Sequence, residues 1–118
     1  MYEYKAKLVK VVDGDTIDID IDLGFHLCIR QRCRLRGVDC PEKKGATKEA
    51  GLAAQAFTAT WLGRLGTLLI RSSKPYADDK YGRYLVEVFD PSVGNTASTS
   101  LNNALLVEGH AVPFMVED

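Results

Sequence analysis

The chemistry this chain is equipped for sits in five charged residues spread over three short stretches. They are Asp15 in Val12-Asp13-Gly14-Asp15-Thr16; Arg34, Asp39 and Glu42 in Arg34-Leu35-Arg36-Gly37-Val38-Asp39-Cys40-Pro41-Glu42; and Arg83 in Asp79-Lys80-Tyr81-Gly82-Arg83. Three carboxylates and two guanidiniums, each beside a turn signal, suit metal-assisted cleavage of a phosphodiester. A phosphodiester gains charge on its equatorial oxygens as water adds, and a planar guanidinium meets two of those oxygens at once. Clustered carboxylates repel one another unless a cation or an arginine compensates, and hard oxygen ligands select Ca²⁺ or Mg²⁺ over metals that prefer thiolate. Asp15 and Asp39 each stand at a strand-to-turn transition, where a side chain and nearby carbonyls can face one ion. Glu42 follows the Pro41 bend, which suits it to reach such a site through a water, as orienter or general base. Lys80 and Tyr81 add a phosphate contact and a stacking or hydrogen-bonding surface. Taken singly, each stretch reads more readily as an ordinary polar turn or solvated strand face; their joint presence in this order is the informative observation.

The elements that must position these residues follow from periodicity. Leu8, Val9, Val11 and Val12, then Ile17, Ile19, Ile21 and Leu23 alternating with Asp18, Asp20 and Asp22, predict a strand pair or one long bent strand over residues 6 to 23. Asp13-Gly14-Asp15 interrupts it as a turn or bulge. Gly24 makes a hairpin connection into a strand from about Leu27 to Val38, and Pro41 ends that register. From Thr47 the period becomes helical: Ala50, Ala53, Ala54, Phe57, Trp61 and Leu65 form an apolar stripe, with Thr47 as N-cap, Gly66 as stop, and Gly51 and Gly63 as weak points. Thr67 to Arg71 and Tyr84 to Phe89 read as short strands, and Asp90 to Thr99 as a surface loop. Ser100 caps a short helix carrying Leu101, Ala104 and Leu105 that stops near Gly109. About five strands and two helices predict a mainly β chain folded as a small, closed or partly closed barrel.

Bulk properties narrow the rest. At 118 residues with 46% apolar and 26% charged content, the expectation is one soluble domain spanning residues 1–118. Charges at the N-terminus leave no secretory apolar region, and no apolar run is long enough to span a bilayer, so the expected location is cytoplasmic, with no membrane partner. Three cysteines, an odd number, argue against a disulfide framework. A net charge of −1 gives no overall basic field and argues against coating of nucleic acid by bulk electrostatics, so a local cluster would have to do the gripping.

Several residues invite sharper readings that their context does not favour. His26, Cys28, Cys33 and Cys40 have no CxxC spacing, so they read as buried or half-buried small residues rather than zinc ligands. Asp18, Asp20 and Asp22 read as the solvated face of a strand, Phe57 and Trp61 as core, and His110 as a capping or surface residue.

The three stretches, with Ala56-Phe57 in the helix and Asn102-Asn103-Ala104-Leu105 through Gly109, resemble the staphylococcal-nuclease-like (thermonuclease) family over nearly the whole chain. The resemblance implies an OB-fold, a five-stranded Greek-key β-barrel, and a Ca²⁺-dependent endonuclease acting on DNA, RNA or both to leave 5′-hydroxyl and 3′-phosphate ends. Carried over position by position, it implies that Asp15 and Asp39 bind Ca²⁺ through carboxylates and Cys40 through its backbone carbonyl. Glu42 would hold the attacking water, Arg34 and Arg83 the scissile phosphate, and Lys80 and Tyr81 a neighbouring phosphate. Asp13 matches a carboxylate near the ion but not bound to it.

Departures from the family pattern carry expectations of their own. Cys40 stands where well-known members have Thr, which adds a thiol beside the site and an expected sensitivity to oxidation. Met115 stands about where those members carry a tyrosine near the substrate, and that contact is not transferred. The chain stops at Asp118, before their C-terminal helix, which leaves room for a partner subunit and hence a homo-oligomer. The acidic balance predicts weaker, more salt-sensitive substrate binding. The alternative function is a non-catalytic OB-fold module that binds single-stranded nucleic acid or a protein; it has no use for three converging carboxylates, which repel phosphate without a metal.

Overall fold

Alternation of β-branched residues with aspartates drives the first hairpin of the computed structural model, which describes residues 2–72 and 84–114. Strand β1 (Tyr2–Asp13) pairs antiparallel with β2 (Thr16–Gly24), and β2 with β3 (Leu27–Leu35). The strand β4 (Val38–Asp39) follows a turn at Gly37, whose φ of 80° belongs to the left-handed region that glycine enters without strain. After helix α1 (Lys48–Gly63) come β5 (Leu68–Ser72), β6 (Tyr84–Phe89), helix α2 (Leu101–Val107) and β7 (Val112–Pro113). Five strands close into a barrel in the order β1-β2-β3-β6-β5, with β3 and β6 parallel and β5 returning to β1. This is the mainly β, two-helix barrel that the sequence predicts. The hairpin turns fall where expected, though β1 begins at Tyr2 rather than near Ala6, and β4 and β7 form a small extra sheet that the periodicity did not announce. Among the described residues, no helix is long and apolar enough to cross a membrane.

The barrel interior is filled by Ile17, Ile19, Leu35, Leu68, Ile70, Val86 and Val88, all essentially inaccessible to solvent. Each such side chain stabilises the fold by roughly 1.5–3 kcal/mol relative to exposure. Helix α1 packs against β1, but not with the stripe expected. Its buried face is Gly51, Ala54, Thr58 and Leu62, while Ala50 and Ala53 are exposed and Phe57, Trp61 and Leu65 are half-buried at the rim. The face is rotated because small residues allow the helix to approach the backbone beneath it. Thr47 does stand at the N-cap position, yet its hydroxyl donates to the Glu42 carbonyl at 2.7 Å instead of accepting a helix N–H, and the helix ends at Gly63, before Gly66.

Past Ile21, the last β2 residue paired with β1, β2 and β3 continue as a two-stranded arm. Before it, the outer face of the barrel wall carries the expected solvated Asp18 and Asp20, each opposite an arginine of β3 and a lysine of β1. Arg32 donates to Asp18 at 2.7 and 3.0 Å, and Arg30 to Asp20 at 2.8 and 3.1 Å. These hydrogen bonds hold both carboxyls below their ordinary range.

Helix α2 is joined to the barrel by Asn102. Its side-chain oxygen accepts from the Val88 N–H at 3.2 Å, and its amide donates to the carbonyls of Arg36 at 2.9 Å and Val86 at 3.1 Å. Ser100 caps the helix by accepting from the Asn103 N–H, and Gly109, with φ 78°, follows its C-terminus. Replacing Asn102 with Leu removes all three bonds; the Val86 carbonyl keeps the Arg36 N–H at 2.9 Å, while the Val88 N–H and the Arg36 carbonyl lose their Asn102 partner, at about 1–3 kcal/mol for a buried group so stranded. A drop in the urea midpoint at unchanged slope is the expected result; an unchanged midpoint would show that Asn102 is not the joint.

Candidate active site

Asp15 lies in the β1–β2 turn and is held from four directions. Its backbone carbonyl accepts from Leu35 N–H at 2.8 Å, and its Oδ2 accepts from Cys40 N–H at 2.9 Å. Oδ1 lies 3.2 Å from the Thr16 hydroxyl, which donates to it, and the neighbouring Gly14 carbonyl accepts from Thr58 of α1 at 2.7 Å. A β-carbon at Gly14 would fall 2.9 Å from both Ala54 Cβ and Cys40 Sγ, so only glycine lets the helix and the Cys40 segment meet over the turn.

Arg34 reaches from β3 into the same place. Its Nη2 donates to Val38 carbonyl at 3.0 Å and to Asp39 Oδ1 at 3.1 Å, and lies 3.6 Å from Asp15 Oδ2. The guanidinium is packed beneath the Phe114 ring, 4.8 Å from its centroid. Phe114 is brought there by the small sheet, where β4 pairs with β7 and Phe114 N–H donates to the Gly37 carbonyl at 3.0 Å. Arg34 is therefore mostly enclosed, with 12% of its side chain accessible, while Asp39 presents 46% of its side chain to the cleft.

Glu42 is exposed, and its carboxylate has no hydrogen-bond or ionic partner among the described residues. Its backbone is fixed: Thr47 donates to its carbonyl, and a β-carbon at Gly51 would lie 2.5 Å from that same oxygen. Asp13 ends β1 and pairs with Lys43 at 3.2 Å, while Lys43 also donates to the Val12 carbonyl at 2.7 Å.

Asp13, Asp15, Arg34, Asp39, Cys40 and Glu42 thus line one open cleft of about 520 Å³. Lys80, Tyr81 and Arg83 lie outside the described residues, as does Met115. Among the described residues, no three His, Cys, Asp or Glu side chains gather closely enough to hold a metal by themselves. What the cleft offers is a pair of carboxylates sharing one guanidinium nitrogen, with two further carboxylates nearby. Such hard oxygens suit a cation that keeps part of its water shell. Burial pushes the Cys40 thiol up to about 12, with Asp15 and Asp39 adding to the effect, so no thiolate competes for a softer metal. The same burial runs against the expected oxidation at Cys40. Cys33 is likewise buried and pushed up to about 12, whereas Cys28 is exposed, contrary to its reading as a buried residue. His110 is half-buried, its ring 4.8 Å from that of Phe57.

Phe114, Lys43 and Thr58 were not singled out from the sequence. Each acts through a contact more than thirty residues away in the chain, and no local pattern announces it.

The family described as staphylococcal nuclease homologue matches residues 32–118. An uncharacterized protein of Methanocaldococcus jannaschii is 30% identical over 127 aligned residues, covering 92% of this chain and 58% of that protein. The chain therefore spans little more than half the length of this relative.

Two outcomes check the site's packing. Gly51→Ala should destabilise the fold by about 1–3 kcal/mol in a denaturant titration through overpacking against Glu42, whereas Gly63→Ala, with open space around it, should be neutral or slightly stabilising. In the native protein a maleimide should label Cys28 and spare Cys33 and Cys40; rapid labelling of Cys40 would contradict its burial.

Proposed function

The chain belongs to the staphylococcal nuclease homologue family, and on that premise we propose that it is a Ca²⁺-dependent endonuclease hydrolysing phosphodiester bonds of DNA, RNA or both, with 5′-hydroxyl and 3′-phosphate products. The observation that carries the reading is the Arg34 guanidinium set between two carboxylates at the wall of an open cleft, which Glu42, without a side-chain partner among the described residues, also lines. A binding module gains nothing from carboxylates grouped where a phosphate must come. A phosphodiesterase needs them.

Asp15 and Asp39 would hold the cation, with the Cys40 backbone carbonyl beside them, and Asp13 would add negative charge at the rim without binding it. When bound, the cation supplies positive charge that offsets the charge building on the phosphate. Arg34 would bind the scissile phosphate through the donors it does not spend on the protein. Among the described residues Nη2 spends its two hydrogens on Val38 and Asp39, which leaves Nε and Nη1 as separate donors, either of which would meet a phosphate oxygen. The Phe114 ring fixes the plane in which those donors point. Glu42 would hold the attacking water at a carboxylate oxygen, either taking its proton or fixing its direction. Arg83 would meet the same phosphate, and Lys80 and Tyr81 a neighbouring one.

Incubation with single-stranded DNA, duplex DNA and RNA, with and without Ca²⁺, tests the reading. Cleavage should require Ca²⁺, stop on chelation and return when the ion is restored. Glu42→Gln should lower the rate by roughly 10²-fold or more with an unchanged melting curve, because the side chain has no partner among the described residues. Arg83→Ala should produce a loss of on the order of 10²-fold. Binding of single-stranded nucleic acid without any cleavage, with or without Ca²⁺, would instead identify a non-catalytic module.

A further inference from the structure

The outer wall of the barrel leads directly out of the cleft. In the strand registers Asp13 faces Thr16 and Thr16 faces Arg34, and all three line the cleft. The next outward-facing row along the same strands is Lys10, Asp18 and Arg32, and the one after it Lys7, Asp20 and Arg30. Lys5 follows on β1 and lines a hollow with Lys7, Asp20, Asp22 and Cys28. Lys7 and Lys10 are three residues apart, a spacing that turns side chains to opposite faces of a regular strand. The register shift between Leu8 and Lys10 inserts Val9 as a bulge, and both lysines come to stand on the outside in one line.

The charges of this wall do not cancel, although the chain as a whole is slightly acidic. Arg30 and Arg32 each spend two nitrogens on Asp20 and Asp18. The aspartates are thereby satisfied without the lysines, and Lys5, Lys7 and Lys10 are exposed, with no hydrogen bond or ion pair among the described residues. Each of the two rows nearest the cleft sets two cations against one carboxylate and so keeps a positive charge. On the β5 side of the lysines stand Leu69, opposite Lys5, and Thr67, neither of them acidic. Rows two residues apart along a strand are separated by about 6.8 Å, a repeat comparable with that of successive phosphates in an extended nucleic-acid strand. The basic path ends at Lys5, roughly 20 Å from the Arg34 row, because Glu3 beyond it is already paired with Arg71.

We infer that this wall carries the nucleic-acid strand that flanks the scissile bond, with Lys10, Lys7 and Lys5 meeting successive phosphates outward from the cleft. The inference rests on the reading of the cleft as a nucleic-acid site, and adds to it a preference for single strands long enough to reach along the wall. A single file of ammonium groups suits one extended strand, since each is a compact point charge that accepts a phosphate from any direction. The path opens into the cleft at one end, which neither a membrane surface nor an acidic protein has reason to require. Each lysine that meets a phosphate of a single strand adds about 0.7 to the salt slope of binding.

Fluorescence anisotropy with a labelled tetranucleotide and a labelled dodecanucleotide of single-stranded DNA tests the inference, with Ca²⁺ present and in a Glu42→Gln background so that the strand stays whole. The longer strand should bind roughly tenfold tighter or more. Adding Lys7→Ala and Lys10→Ala should remove most of that advantage and lower the salt slope for the dodecanucleotide by about 1.4, with circular dichroism retained. Lys7→Arg with Lys10→Arg should restore both. Lys48→Ala with Arg64→Ala removes two exposed cations at the ends of α1, outside the wall and the cleft lining, and should keep the length advantage. A length advantage that survives loss of Lys7 and Lys10, or that falls equally with Lys48 and Arg64, overturns the inference. So does binding of phosphatidylserine vesicles but of neither oligonucleotide, which would mark a lipid surface. In the chain with Glu42 intact, absence of Ca²⁺-dependent cleavage beside a lysine-dependent length advantage would sink the nuclease reading and leave the wall standing; cleavage beside a length advantage indifferent to the lysines would sink the wall alone.

Discussion

A carboxylate buried at the β1–β2 turn must be satisfied, and satisfying Asp15 organises much of this molecule. Its two oxygens take the Cys40 N–H and the Thr16 hydroxyl, and its backbone carbonyl takes the Leu35 N–H. The turn itself and the Leu35-to-Cys40 stretch, far along the chain, are thereby fixed around one residue. An unpaired buried carboxylate is strongly unfavourable, so the positions of β3 and of the Cys40-to-Glu42 segment follow from the need to meet it. The same contacts put Asp39 and Glu42 at the lip of the cleft.

Arg34 completes the arrangement electrostatically. One nitrogen meets the Val38 carbonyl and Asp39 and stands near Asp15, while the ring of Phe114 covers the guanidinium. The small β4–β7 sheet exists in the right place because Asn102 ties the β3–β4 turn to β6 and α2. Helix α2, remote from the cleft, thus sets the direction from which Asp39 approaches. Stability and site geometry share these bonds.

Much of the fold was legible in the sequence because its signals are local. Ile17-to-Leu23 alternation announces a strand with one wet face, Gly24 a hairpin, and Ser100 with Gly109 the two ends of a helix. The charged stretches were legible too, and the described members of that set do line one cleft; Lys80, Tyr81 and Arg83 fall outside the described residues. The buried face of α1 was misread because Gly51 and Thr58 look like breaks in an apolar stripe. Their value lies in contact: one admits the Glu42 carbonyl and the other donates to Gly14. Two-residue strands such as β4 and β7 carry no periodicity at all, and the Phe114–Arg34 contact depends on them. Cys28 was misread for a related reason, since it sits on an arm that leaves the barrel and alternation does not reveal where burial ends.

The claim that gathers these observations is that Asp15 and Asp39 form one site for a hard divalent cation. Titration calorimetry with Ca²⁺ alone, on the wild type and on Asp39→Asn, measures it directly. One ion bound per chain, with binding lost in Asp39→Asn and the melting curve retained, is the result expected. Absence of binding in the wild type, or binding that Asp39→Asn leaves unchanged, would contradict it.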